Sequence, residues 1–280
     1  MFYTFRTDIA EEAFRAHGGT ACPGLTLDEC EREGFPVARL AVTSGEGERL
    51  LGKPMGRYAS VRLDKLVEHG SGAFSAAAGV VSGEIRRLLP EKFASALAVG
   101  LGNPDITPDA LGSLAAASVI ATRHLKETSP AEFSSMRSVA VLRPGVLGTS
   151  GIESAVQIAS VCGEIKPDAV IVIDALAACE SGSLCRTVQV SDAGICPGSG
   201  VGNDRAAVNS AGLGVPVISV GAPTVIDAGA LCGDSSVGKM FVTPRSIDFD
   251  VRLMGRLIGY AVDLALHDGL TVSDVDALIG

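Results

Sequence analysis

Tryptophan is missing from this sequence, and aromatic residues make up only 4% of it. A core without large aromatics must be filled by aliphatic side chains, and 34 glycines point to tight turns and close helix-to-sheet packing. No stretch reaches the roughly 18 unbroken apolar residues that a membrane-spanning helix needs. The apolar run from Ala110 to Ala121 ends in Arg123-His124-Leu125-Lys126 and reads as a buried helix. The opening Met1 to Arg6 leads into charged residues rather than the apolar segment of a secretory signal, so the protein is expected to stay inside the cell. No basic patch offsets the formal charge of -9, which argues against direct contact with nucleic acid.

Motifs for several chemistries are lacking too. The seven cysteines (Cys22, Cys30, Cys162, Cys179, Cys185, Cys196 and Cys232) contain no C-x-x-C pair, and their odd number favours free thiols serving as small core residues. The histidines, His17, His69, His124 and His267, are scattered, with no H-E-x-x-H, and read as structural. Four turns of straight helix would hold His124 about 20 Å from Asp109, too far to share an ion. Gly198-Ser199-Gly200 is too short for a nucleophile elbow. Gly47 to Pro54 misses a phosphate loop, because Pro54 stands where a hydroxyl should bind Mg²⁺ and no strand is expected before it.

What is present is a chain of 280 residues, 47% hydrophobic, which suits one large domain spanning residues 1–280. Apolar runs ended by turn residues predict strands at Ala94 to Gly102, Ser138 to Leu142 and Asp168 to Asp174, with weaker ones at Val188 to Val190 and Val215 to Val220. Pro216 argues against a central place for the last. Helices are predicted within Gly72 to Leu89; from a Thr107 cap and Pro108 to about Leu125; from a Ser150-Gly-Ile-Glu153 capping box through Ile165; over Asp204 to Ala211; and from Thr243-Pro244 to His267. Residues 1–92 carry fewer signals. Strands alternating with helices imply a three-layer α/β fold, a mostly parallel sheet with helices on both faces.

Ligands of such sheets gather beyond the carboxyl ends of the strands. Asp174 closes its strand there, and Asp109 follows the loop leaving the strand at Ala94 to Gly102. A parallel arrangement therefore brings two carboxylates 65 positions apart to one edge. Close together they can share a proton, one acting as base toward water and the other as acid, which is what peptide hydrolysis requires. Asp109 is equally placed to serve as a first-turn helix stabiliser. The loop Gly198, Ser199, Gly200 to Asn203 follows a strand and could offer backbone N–H groups to an anion or a peptide carbonyl. With Asn103 and Asp192 it is expected to line the cleft.

Several stretches, in order along nearly the whole chain, resemble the germination protease family of bacterial spores. They are Arg6-Thr-Asp-Ile-Ala10, Gly52-Lys-Pro54 with Gly56-Arg-Tyr58, Gly100-Leu-Gly-Asn103 with Thr107-Pro-Asp-Ala-Leu-Gly112, and Pro144 to Gly148 with Thr149 to Glu153. Pro167 to Ala178, Asp192 to Asn203, Gly214 to Ala228 and Val242 to Asp248 complete the set. The resemblance implies an atypical aspartic endopeptidase that degrades small acid-soluble spore proteins in the spore interior, on a fold shared with hydrogenase maturation peptidases. It implies that Asp109 and Asp174 are the essential aspartates, that no cofactor or metal is held (the nickel-binding histidine of the maturation peptidases has no match), and that the protein forms a homo-oligomer, a tetramer in the family. It implies a zymogen, although only Met1 to Phe5 precede the Arg6-Thr7-Asp8 stretch, and a longer segment than the one between Ala228 and Val242. The other readings are a non-catalytic relative that binds spore proteins and a maturation-type peptidase acting on a metal-containing client.

Overall fold

In the computed structural model, residues 7–19, 23–68, 70–198, 205–233, 237 and 240–279 are described. Helix α1 (Ala10–Ala16) leads into strands β1 (Leu25–Arg32) and β2 (Phe35–Val42), followed by α2 (Gly45–Leu51) and β3 (Gly56–Arg62). After α3 (Asp64–Glu68) and α4 (Gly70–Leu88) come β4 (Ser95–Gly100), a 3-10 turn over Thr107–Asp109, α5 (Leu111–Ala117) and α6 (Arg123–Thr128). Then follow β5 (Ser138–Leu142), α7 (Leu147–Ser150), α8 (Ser154–Ile165), β6 (Ala169–Ala178), β7 (Thr187–Ser191) and α9 (Ser210–Leu213). The chain continues through β8 (Val217–Asp227), α10 (Ala228–Cys232), β9 (Phe241–Val242), α11 (Ile247–Leu266) and α12 (Val272–Ile279). Among the described residues no helix is long and apolar enough to cross a membrane.

The strands form one sheet in the order β1-β2-β3-β7-β8-β6-β4-β5, with β9 paired to β8. Strands β5, β4, β6 and β8 run parallel, whereas β1, β2, β3 and β7 form an antiparallel half joined to β8. Helices cover both faces, as the α/β pattern predicts. Side-chain alternation shows why: Ala96, Ala98, Ile171 and Ile173 enter the core that α4, α5 and α11 cover. Leu97, Val99, Val170 and Val172 point the other way, against Ile158 and Cys162 of α8. A third core unites Phe14, Leu40, Val42 and Tyr58. Arg39 on β2 grips Glu84 on α4 with two bonds of 3.0 and 2.6 Å; burial pushes the Glu84 carboxyl up, but Arg39 and Arg87 together hold it below its ordinary value.

Local chemistry redraws several predicted boundaries. The helix expected to reach Leu125 stops at Ala117, because Ile120 and Thr122 beyond it bond to distant groups. Ile120 N–H donates to Asp263, and Thr122 pairs with the backbone of Arg137 and Val139. Thr107 does not cap a helix; its hydroxyl donates to Asp248 of α11. Ser150 closes α7 instead of opening α8, whose cap position is Glu153. Of the helix predicted over Asp204 to Ala211 only Ser210 and Ala211 are helical among the described residues, in α9, and α11 starts at Ile247, after a Pro244 turn. Strand β8 is central despite Pro216, which lies just before it. A strand, β2, does precede the Gly47 to Pro54 segment.

Cys162 and Cys185 are buried free thiols, as core cysteines should be, but Cys30 and Cys179 are only partly buried and Cys232 is exposed. Cys22 and His69 lie outside the described residues. His267, at the end of α11, is buried, and its Nδ1 accepts from Arg137 N–H while burial pushes its pKa down to about 4. One turn earlier Asp263 is 0% exposed; burial drives its carboxyl up to about 8 against the single opposing bond from Ile120.

Candidate active site

A cavity of about 900 Å³ opens where the parallel strands end, and both Asp109 and Asp174 line it. Asp174 is not the last residue of its strand, which continues to Ala178. It lies one residue beyond the pairing with β4, whose last partners are Gly100 and Ile173. β6 thus outruns β4, which leaves Asp174 at the edge of the parallel pair. Its cross-strand partner on β8 is Gly221, where no side chain competes for space.

Asp109 reaches the same cavity because α5 is pressed hard onto the sheet. A Cβ on Gly112 would run into the carbonyl oxygens of Ile173 and Leu101, and one on Gly102, whose φ is +92°, would collide with the Asp109 carbonyl. Only glycine permits both approaches. The 3-10 turn is fixed further by the Asn103 amide, which donates to Asp109 Oδ2 at 2.7 Å, and by the Thr224 hydroxyl of β8, which donates to the Pro108 carbonyl at 2.7 Å.

The two carboxyls differ electrostatically. Asp174 is 5% exposed, and burial first, then the negative charge of Asp109, raise its pKa well above the ordinary carboxylate range; the Ala175 N–H bond of 2.9 Å opposes only part of this. Asp109 is half-buried; burial raises its pKa too, but the Asn103 bond and the charge of Arg205 work against the rise. Burial thus weighs more heavily on Asp174 than on Asp109, and the two carboxyls resist ionising together. Such a pair can take a proton from water with one carboxyl and give one with the other.

Asn103 and Gly198 also line the cavity. Asp192 does not: Arg57 holds both of its oxygens, through its backbone N–H at 2.6 Å and Nε at 2.7 Å. Ser199, Gly200 and Asn203 lie outside the described residues. Among the lining residues that motif reading passed over are Asp8, Lys53 and Arg205. Asp8 arrives because segment 7–10 is stitched to β6 and β7: its N–H donates to Ala177 O, its Oδ2 accepts from Ala177 N–H, and Gln189 bonds Ala10 and Asp8. Lys53 donates to the Thr7 carbonyl at 2.6 Å; burial lowers its pKa, with Asp8 and Glu12 opposing. Both residues stand in stretches of the sequence that resemble the family, so the signal existed, but nothing in their spacing tied them to the aspartates.

The described part of this site does not fit the nickel set of a maturation peptidase. No three His, Cys, Asp or Glu side chains converge as a metal site would need among the described residues, and none of His17, His124 and His267 lines the cavity.

A sequence model of the germination protease family, peptidase family A25, matches residues 7–238. A germination protease of Caldanaerobacter subterraneus is 35% identical over 316 positions, covering 98% of each chain, and one from Clostridium perfringens is 32% identical over 324 positions, covering 99% of each. One from Geobacillus is 37% identical over 91% of this chain and 69% of its own. The first two alignments are longer than this chain's 280 residues, so those relatives carry segments absent here. Among solved structures, a [NiFe] hydrogenase maturation protease HycI from Thermococcus kodakarensis covers 64% of this chain and 98% of its own at 17% identity and a TM-score of 0.38. With a family match over most of its length and full-length relatives above 30% identity, this chain belongs to the germination protease family.

Proposed function

We propose that this chain is an aspartate-dependent endopeptidase, working as a single peptidase domain on small acid-soluble spore proteins in the spore interior. The observation that supports this reading most is the pairing of a buried Asp174, whose carboxyl is raised well above its ordinary value, with a more exposed Asp109 in one cavity large enough for an extended peptide segment. In this reading Asp109 removes a proton from water as its oxygen bonds to the scissile carbonyl carbon. Asp174 donates its proton to the carbonyl oxygen to give a gem-diol; the C–N bond then breaks as Asp109 passes its proton to the amine and Asp174 takes one back from the gem-diol, which leaves as the carboxyl product. Gly198 lines the same cavity, where its loop would meet the substrate backbone, and no step passes through a metal or cofactor.

Incubation with a small acid-soluble spore protein, followed by mass spectrometry, tests the reading. Cleavage by the wild type, with Asp109→Asn and Asp174→Asn each slowed by at least about a thousandfold, is the expected result. Turnover retained in both variants overturns the dyad. Tight binding without fragments points to a non-catalytic relative, and cleavage that depends on a metal centre in the client points to a maturation-type peptidase.

A further inference from the structure

Strand β8 carries an irregularity three residues beyond the partner of Asp174. Asp174 pairs with Gly221, Ala175 with Ala222 and Leu176 with Pro223, but Ala177 then pairs with Val225, so Thr224 is an extra residue without a counterpart on β6. A bulge of this kind releases one residue from the ladder and bends the strand that carries it. The local sequence suits it: Pro223 has no N–H to give to the ladder, and its carbonyl accepts from Cys185 N–H at 2.7 Å.

The released residue is put to use. Thr224 is 1% exposed, so its hydroxyl cannot turn to solvent, and it donates instead to the carbonyl of Pro108, the residue before Asp109. At its other end the loop that carries Asp109 rests on β6, where Leu101 N–H donates at 2.8 Å to the carbonyl of Ile173, the residue before Asp174. The two supports differ in kind. The one on β6 is backbone to backbone and survives most substitutions, whereas the one on β8 depends on a single hydroxyl. The Asn103 bond fixes the Asp109 carboxyl within its own loop, and Thr107 ties the turn to Asp248 of α11; neither joins the turn to the strands that bear the site. A tie to those strands matters because like charges in one cavity repel, and the force that raises the Asp174 carboxyl also pushes the Asp109 turn outward.

We infer that Thr224 is a positioning residue for hydrolysis: through the Pro108 carbonyl it ties the Asp109 turn to β8 and so sets how closely Asp109 approaches Asp174. The inference rests on the aspartate-dependent reading above and adds to it a residue that acts through the turn. Freed of this tie, the turn yields to the repulsion between the carboxyls, and a displacement of about 1 Å can cost on the order of a hundredfold in rate.

Thr224→Val and Thr224→Ser in the full chain test this, with Arg39→Met as a variant whose lost ion pair lies away from the cavity. In cleavage of a small acid-soluble spore protein, Thr224→Val should lower kcat roughly tenfold to a hundredfold with KM within about twofold. Thr224→Ser keeps the hydroxyl and should restore kcat to within about threefold of wild type. In carboxyl-carbon NMR, Asp174 should titrate lower in Thr224→Val, because Asp109 stands farther off, and as in the wild type in Thr224→Ser and Arg39→Met. Asp8 also faces Asp174, and Arg205 faces Asp109, and these substitutions change neither. A wild-type kcat and titration in Thr224→Val, a loss that Thr224→Ser fails to restore, or an equal loss in Arg39→Met would overturn the inference. If the wild type cuts nothing, the proposed function fails, and the titration by itself still decides whether Thr224 sets the approach of the two carboxyls.

Discussion

Asp263→Asn should make this protein more stable, and by an amount that depends on pH in a defined way. In the folded chain the Asp263 carboxyl titrates at about 8, whereas in the unfolded chain it returns to its ordinary 3.8. A carboxyl whose folded pKa is raised favours folding fully only below the unfolded value; that contribution is lost as pH rises from about 4 to about 8. At pH 7 the loss is at most about 1.4 kcal/mol for each of roughly three pH units, or about 4 kcal/mol. Asparagine cannot ionise, and its oxygen can still accept from Ile120 N–H. Urea unfolding followed by circular dichroism between pH 4 and 9 would give the difference between variant and wild type. That difference should climb steadily from pH 4 to 8 and then level off, reaching about 2 to 4 kcal/mol at pH 7. His267 has a lowered folded pKa, so its stability contribution is lost as pH falls from about 6.5 to 4. Both proteins share that loss, so it cancels in the difference. A flat difference across pH 5 to 8 would refute the burial argument.

Three further outcomes follow from the same geometry. Gly112→Ala should cost more than about 3 kcal/mol, because the added methyl meets the carbonyls of Ile173 and Leu101; urea midpoints and residual proteolysis measure both consequences. Arg39→Met strips the buried Glu84 of its two-bond partner, leaving Arg87, and should destabilise by about 3 kcal/mol, read from thermal unfolding at neutral pH. In Asp109→Asn the pKa of Asp174 should move down toward ordinary values once the neighbouring negative charge is gone, which carboxyl-carbon NMR of labelled protein would detect; an unchanged titration would mean that burial alone sets it.

The parallel half of the fold was legible because β4, β6 and β8 are covered on both faces and so write themselves as aliphatic runs, as in Ala169-Val-Ile-Val-Ile173. Of the antiparallel half only β7, around Val188 to Val190, was legible: β1, Leu25-Thr-Leu-Asp-Glu-Cys-Glu-Arg32, is mostly exposed or only partly covered and charged, with little apolar signal. Helix ends went astray where distant groups decided them, as when Asp263 and Arg137 drew Ile120 and Thr122 out of the expected helix. Strand-edge reasoning placed Asp109 and Asp174 on one cavity, and the structure adds the reason they get there: Gly112 lets α5 sink against Ile173. Asp8 comes to that cavity through its carboxylate's bond from Ala177 N–H, 169 positions away, and Lys53 through its ammonium's bond to the Thr7 carbonyl, 46 positions before it, which no local pattern encodes.

The meander of β1, β2 and β3 has a single strand neighbour in the rest of the sheet, β7, and Arg62 waits for Thr187 about 125 residues later. At a synthesis rate of roughly 5 to 20 residues per second, that interval is about 6 to 25 s. Throughout it, any meander that forms on the ribosome has a β3 edge with no partner strand. The meander is therefore the segment of the newborn chain most in need of a chaperone, and mutations that slow translation before β7 should lower the yield of folded protein without altering its final stability.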